Sequence, residues 1–310
     1  MTTPIAPRIL DGHSHVASTR YMPPAFIEGV VDNVVEQMRA APLQLPRAKI
    51  LERMLEGYQD HDASTQLREM DALGIAKSVL LLPDFTYALP GSPLSIEQMY
   101  SEHARILAAH PDRFEVFAGI DPRWGQDGLR LFERGVERHG FKGLKLYPPC
   151  GYRPDSPLLA PYYEVCQDLG LPVLIHIGPT SPALSFEEAQ PIYVDAPARR
   201  YQGVRFILAH AAVNWREQAL QLCAYRPNVY LDLSGAQNQP VADLLAGPLA
   251  HKIIFGTDWP LNHHRSLNRK LIETVLRSAP SPQAAGLMLS GNLERLLSTA
   301  RTGDRAGLPQ

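Results

Sequence analysis

The stretch Leu169-Gly170-Leu171-Pro172-Val173-Leu174-Ile175-His176-Ile177-Gly178 sets the reading of the whole chain. A helical pattern over 158–169 stops at Gly170, where glycine suits the left-handed residue that follows a helix. An apolar run over 172–177 comes next and carries one polar side chain, His176, near its far end. The same alternation extends in both directions. Further β-rich runs lie at 8–10, 78–82, 115–119, 143–147, 205–209, 228–233 and 252–256, which makes eight. Helical segments separate them. The segment 95–110 repeats apolar residues at Ile96, Met99, Ile106 and Leu107 and ends before Pro111, and 129–139 ends at Gly140. Strands alternating with helices predict βαβ units and a parallel sheet.

Spacing predicts that the sheet closes. Most strand starts fall about 25–40 residues apart, the length of one βα unit. The first interval, roughly 70 residues, is the exception. Residues 18–62 therefore read as an insertion after the first strand, with helices over 26–39 and 47–58. The expected fold is α/β: a single (β/α)₈ TIM barrel over residues 1–301, with extra C-terminal helices over 267–299 and a flexible tail over 302–310. An insertion at that place emerges on the face where barrel enzymes keep their sites, and reads as a lid or pocket wall.

Composition narrows the function classes. The chain has 310 residues, 45% hydrophobic and 20% charged, with a formal net charge of −2. A nucleic-acid partner would call for a basic excess or stripe, and none is present. No apolar run is long enough to cross a bilayer, and residues 1–8 contain no apolar signal core. Cys150, Cys166 and Cys223 form no paired pattern, so reduced thiols and a cytoplasmic location are expected. The expected partner is a small-molecule substrate, and a homo-oligomer is left open.

The chemistry gathers at strand ends. Leu10-Asp11-Gly12-His13-Ser14-His15 places two imidazoles at i and i+2, which face the same way along an extended chain. The fifth strand ends at His176, the sixth at His210 in Ile207-Leu208-Ala209-His210, and the eighth at Asp258 in Phe255-Gly256-Thr257-Asp258-Trp259-Pro260. A polar group at the end of a buried strand needs a partner. A barrel brings these ends around one rim, so five donors converge on a divalent metal, for which Zn²⁺ is the expected ion. His61, His103, His110, His139 and His251 read as solvated helix residues, whereas His263 and His264 follow the eighth strand toward the pocket. Asp11 reads either as a support for a ligand histidine or as a capping acid. Trp259, Tyr147, Tyr152, Arg123 and Arg153 follow strand ends and are candidate substrate contacts.

The motifs Asp11-Gly-His-Ser-His15, Gly143-Leu-Lys-Leu-Tyr-Pro148, Leu174-Ile-His-Ile-Gly178, Ile207-Leu-Ala-His210 and Phe255-Gly-Thr-Asp-Trp-Pro260 resemble the amidohydrolase superfamily. The resemblance is nearest to the branch that contains aminocarboxymuconate-semialdehyde decarboxylase. It implies that His13, His15, His176 and Asp258 bind the metal and that His210 stands beside it as a catalytic or electrostatic group. It also marks Lys145, where binuclear relatives carry a carbamylated lysine bridging two metals. One ion is favoured here, two if Lys145 is carbamylated. Otherwise Lys145 binds a substrate anion or pairs with Asp121 or Asp232.

Two reactions fit this ligand set. In hydrolysis of an amide, lactone or ester, the expectation placed first, the metal activates water and Asp258 carries the proton. In non-oxidative decarboxylation of an aromatic or unsaturated carboxylic acid, Asp258 protonates the carbon that loses CO₂, and Arg123, Arg153 or Lys145 supplies a cationic clamp. A purely structural metal is disfavoured, because such sites are closed and usually rich in cysteine.

Overall fold

The computed structural model describes residues 7–39, 44–237, 239–261 and 264–301. Eight parallel strands form one sheet in sequence order: β1 (Ile9–Ser14), β2 (Ile75–Leu81), β3 (Phe114–Gly119), β4 (Gly143–Leu146), β5 (Val173–Ile175), β6 (Phe206–Leu208), β7 (Val229–Asp232) and β8 (Ile253–Ile254). β8 returns to β1 through backbone bonds from Gly12 N–H to Phe255 O and from Asp258 N–H to His13 O, both 2.8 Å, and through the parallel bridge Ser14–Trp259. The sheet thus curls into the expected TIM barrel.

Helices α1 (Pro24–Met38), α2 (Arg47–Gly57) and α3 (Ser64–Leu73) precede β2, and α4 (Ile96–Ala109), α5 (Gly125–His139) and α6 (Ala160–Leu169) follow the next strands. The ring is completed by α7 (Asp195–Arg200), α8 (Arg216–Tyr225) and α9 (Ala242–Ala246), and then by α10 (Arg265–Ser278), α11 (Pro282–Gly286) and α12 (Asn292–Ser298). The C-terminal helical stretch is therefore broken rather than continuous. Pro280 and Pro282 lack the amide hydrogens that a continuing helix would need. The tail at 302–310 and His263 lie outside the described residues.

Alternation along the strands separates two apolar layers. Leu80, Val116, Leu144, Val173, Phe206 and Val229 face the helices. Leu10, Val79, Leu81, Phe117, Leu174, Ile207 and Ile254 form a second cluster inside the cylinder, packed with Leu293 and Leu296 of α12. β1 runs farther than its apolar residues suggest, and its register with β2 shifts between Asp11 and Ser14. Such an irregularity re-aims side chains at the rim of a barrel, and here it lies directly under the His13–His15 pair.

The insertion is pinned at its base. Thr19 N–H donates to Tyr58 O at 2.9 Å, Asp60 N–H donates to Ala17 O at 2.8 Å, and Ser18 bridges Gln59. α1 and α2 stand on this neck above the strand ends. α3, which the reading of the insertion did not single out, is the first helix of the barrel ring. Its N-terminus is held by Asp60, whose carboxylate accepts the amides of Thr65 and Gln66 at 2.9 and 2.8 Å.

β2 and β3 approach closely at Gly119, where an added Cβ would lie 1.6 Å from the carbonyl oxygen of Leu82. Gly119→Ala must therefore push the two strand ends apart, and we expect a loss of about 3 kcal/mol or more in urea unfolding. A loss below about 1 kcal/mol would mean that this strand contact yields easily.

Candidate metal and catalytic site

The five donors meet at the C-terminal rim. His13 Nε2 lies 3.5 Å from Asp258 Oδ1, and His15 Nε2 lies 3.6 Å from the same oxygen. His210 Nδ1 is 4.0 Å from Asp258 Oδ2. One donor atom each from His13, His210 and Asp258 fall within 4.8 Å of one another. His176 joins the group through His210, with 3.0 Å between His176 Nδ1 and His210 Nε2.

The backbone takes unusual turns to present these groups. His210 follows β6 in a short 3-10 turn with φ +66°, and Asp258 follows β8 with φ +59°. Positive φ in a side-chain-bearing residue costs of order 1–3 kcal/mol and persists where its surroundings enforce it. His210 N–H is held by Asp232 Oδ1 at 3.1 Å, and Asp258 N–H by the carbonyl of His13.

Two buried carboxylates support the donors from below. Asp232 Oδ2 accepts His13 Nδ1–H at 2.8 Å, and its other oxygen takes the Ser234 amide at 2.9 Å. Ser234 Oγ also contacts Asp232 and sits 3.0 Å from the Nδ1 atoms of both His13 and His210. Asp11 accepts Thr257 N–H at 2.9 Å, Thr257 Oγ1–H at 2.7 Å, Ser78 Oγ–H at 2.9 Å and His13 N–H at 3.1 Å. Burial pushes the Asp11 carboxyl up to about 6, against the downward pull of these four bonds. Of the two readings open for Asp11, support for a ligand fits this arrangement.

Burial holds His13 and His176 well below the ordinary imidazole value, and neighbouring positive groups add to the effect. Neutral imidazoles keep lone pairs available. His15 Nδ1 donates to Leu81 O at 2.8 Å, which turns its Nε2 toward Asp258. For Asp258, burial pulls upward, but the nearby His15, His210 and His13 outweigh it, so its carboxyl lies below the usual range.

These residues suit a divalent cation. His13 Nε2 and Asp258 Oδ1 are buried, lack hydrogen-bond partners and face each other. Atoms about 3.5 Å apart can each sit about 2.1 Å from one ion, which would satisfy both. An N/O donor set without thiolates accepts Zn²⁺, Mn²⁺ or Fe²⁺. In this arrangement His176 spends Nε2 on Gly178 O at 2.9 Å and Nδ1 on His210, so it can join an ion only by releasing one of them.

A cavity of about 390 Å³ opens beside the cluster. It is lined by His15, His176, His210 and Asp258, and by Met22, Phe26, Gln37 and Tyr58 of the insertion and its neck. Pro83, Phe85, Tyr147, Thr180, Val213, Asn214 and Leu261 add to the wall. Residues of the insertion thus form part of the wall, and Tyr147 lines the cavity beside them. Its ring stacks on His176 with centroids 4.3 Å apart.

Several expected contacts are not made. Arg153 does not line the cavity: it pairs with Asp155 at 3.1 Å and lies over the ring of Tyr193. Arg123 is clamped by both oxygens of Asp121 and by Cys150 O. Trp259 and Tyr152 also lie outside the lining. The Tyr152 hydroxyl instead accepts the Tyr147 amide hydrogen at 2.7 Å. These residues leave the strand ends on turns that lead away from the axis, a direction that position in sequence does not encode. His103, read as solvated, is buried against Tyr21 and binds Met99 O through Nδ1 at 2.8 Å. Cys150 is buried, and desolvation pushes its thiol well above the ordinary thiol value.

Lys145 lies within the barrel, 1% exposed, with no hydrogen-bond partner for Nζ among the described residues. Burial lowers it to about 8, opposed by Asp232 and Asp258. The alternative pairing with Asp121 is not formed, because Asp121 is committed to Arg123. Sequence reasoning also missed Ser234, which touches three members of the cluster; a serine two residues beyond a strand aspartate carries no distinctive signal.

Asp232 fixes the His13 tautomer, so Asp232→Asn should free His13 to carry its proton on Nε2, facing the metal position. Manganese affinity measured by calorimetry should fall about 10–100-fold with the circular dichroism spectrum retained. Unchanged affinity would remove Asp232 from the metal-supporting role.

Comparisons with known proteins bear on the fold and the family. The family model described as amidohydrolase matches residues 88–298, which begins after β2 and so leaves the His13–His15 pair outside the match. No curated protein sequence matches the chain. Among solved structures, an uncharacterised TIM-barrel protein from Bordetella bronchiseptica superposes with a TM-score of 0.71 at 21% identity, covering 94% of this chain and 99% of the other. The 5-carboxyvanillate decarboxylase of Sphingomonas paucimobilis gives 0.65 at 17% identity, covering 94% and 99%. A dihydroxybenzoic acid decarboxylase from Polaromonas sp. JS666, with bound manganese and the inhibitor 2-nitroresorcinol, gives 0.67 at 18% identity, covering 94% and 98%. Such low identities establish the shared fold, while the sequence match spans more than half of the chain and takes in the strand ends that bear His176, His210 and Asp258. The chain belongs to the amidohydrolase family.

Proposed function

We propose that this enzyme is a metal-dependent, non-oxidative decarboxylase of aromatic carboxylic acids. Hydrolysis, the reaction expected first from the sequence, is supported only at the level of the superfamily. The decarboxylase alternative draws support from structural relatives that carry that activity in their names. The observation that carries the reading is the cavity wall: flat aromatic side chains stand directly against the donor cluster. Phe85 meets Tyr147 edge-on at 4.9 Å, and Tyr147 in turn covers His176.

In this reading His13, His15 and Asp258 hold the cation, with His176 or His210 completing the set. When bound, the cation supplies positive charge to anchor the oxygens of the substrate. Manganese or zinc would each serve, and the relative with bound manganese favours the former. The chain's own residues do the rest. The aromatic wall orients the ring so that its carboxylate-bearing carbon approaches Asp258. Asp258 takes a proton from solvent in the open cleft and delivers it to that carbon. The carbon–carbon bond then breaks, its electron pair returns to the ring, and CO₂ leaves.

The test is CO₂ release from a panel of hydroxybenzoates by the manganese-loaded enzyme. Asp258→Asn should lower turnover about 10²–10⁴-fold, the usual share of a positioned proton carrier, while leaving the fold intact. Turnover of amides or lactones without any CO₂ release would return the assignment to hydrolysis.

A further inference from the structure

The charge pattern of the cavity carries a specificity that decarboxylation does not by itself require. Among the described residues no lysine or arginine lines it, and Asp258 is the one acidic residue that does. The two arginines nearest in sequence to the strand ends are already committed, Arg123 to Asp121 and Arg153 to Asp155. Lys145 lies deeper in the barrel and is not part of the wall. Away from the metal cluster, the polar lining is limited to neutral groups such as Gln37, Thr180 and Asn214.

The walls are built for a flat ring. Phe26, on α1 of the insertion, stacks on Phe85 with centroids 4.3 Å apart, and Phe85 leads on to Tyr147. A ring slid along this ladder gains apolar and offset-stacking contact. One carboxylate of the ligand finds the cation. A second would give up water in a cleft that offers it no counter-charge, a costly exchange.

We propose that the site, granted the decarboxylase reading, selects aromatic monocarboxylates against aromatic dicarboxylates, and that Phe26 of the insertion is the specificity-determining residue that grips the ring.

The experiment is calorimetric binding of two matched ligands, salicylate and 4-hydroxyisophthalate, to the manganese-loaded protein, with CO₂ release followed in parallel. Salicylate should bind about tenfold tighter or more. Gln37→Arg, a change at an exposed position of α1 that faces the cavity, should narrow that ratio below about threefold by strengthening the dicarboxylate. Phe26→Ala should weaken salicylate about tenfold, and Phe26→Tyr, which keeps a ring, should restore most of it. Equal binding of the two ligands by the unmodified protein overturns the proposal. A ratio that Gln37→Arg leaves unmoved overturns the charge explanation, and salicylate binding indifferent to Phe26→Ala overturns the role of that ring. Preserved discrimination with no CO₂ released from either ligand leaves the selectivity standing and sinks the decarboxylase reading instead.

Discussion

The seam between β8 and β1 is the contact on which the rest of the site depends. The amide of Asp258 donates to the carbonyl of His13, and the amide of His15 donates to the carbonyl of Trp259, each at 2.8 Å. These bonds join residues some 245 positions apart in the chain and set the distance from one carboxylate to two imidazoles. Asp11 reinforces the seam from inside. Its single side chain accepts four hydrogen bonds, two from Thr257 on one side and one each from His13 and Ser78 on the other. Desolvating that carboxylate is expensive, and full satisfaction by four donors is what makes it tolerable.

Above this seam the protein accepts local costs that a purely structural barrel would avoid. His210 and Asp258 occupy left-handed backbone conformations, and His13 Nε2 and Asp258 Oδ1 lie buried without partners. Unsatisfied buried polar atoms and strained residues tend to concentrate where a ligand is to be bound. Asp232 and Ser234 hold the strained segment in place and direct the lone pair of His13 outward. The interior leucines, valines and isoleucines, packed against α12, provide the stability that offsets these costs.

The insertion changes the wall of the cavity. A neck of backbone bonds at residues 17–19 and 58–60 lifts α1 and α2 above the rim, so Phe26 and Gln37 join a wall otherwise made from strand-end loops. In the proposed reading, metal binding and substrate selection therefore rest on different parts of the chain. The donors come from rigid strand ends, and part of the wall comes from a segment that the eightfold repeat does not need.

Much of this was legible in the linear chain. Apolar runs of strand length, helix stops such as Gly140 and Gly170, and single polar residues closing the runs are local signals, because strand burial and helix termination depend on neighbours in sequence. They determined the barrel and its eight strands, and they marked the long interval after the first strand and the five His and Asp residues at strand ends. Pro280 and Pro282, which separate the C-terminal helices, are equally local signals. What the chain order could not supply was direction. Whether Arg153 turns inward or settles on Tyr193, whether His103 meets water or Tyr21, and whether Ser234 touches three site residues or none are decided by packing between elements far apart in sequence. The side of a loop on which a side chain emerges depends on backbone angles fixed only after the cylinder closes, and so the cavity's shape, and the absence of lysine and arginine from its lining among the described residues, belong to the tertiary structure alone.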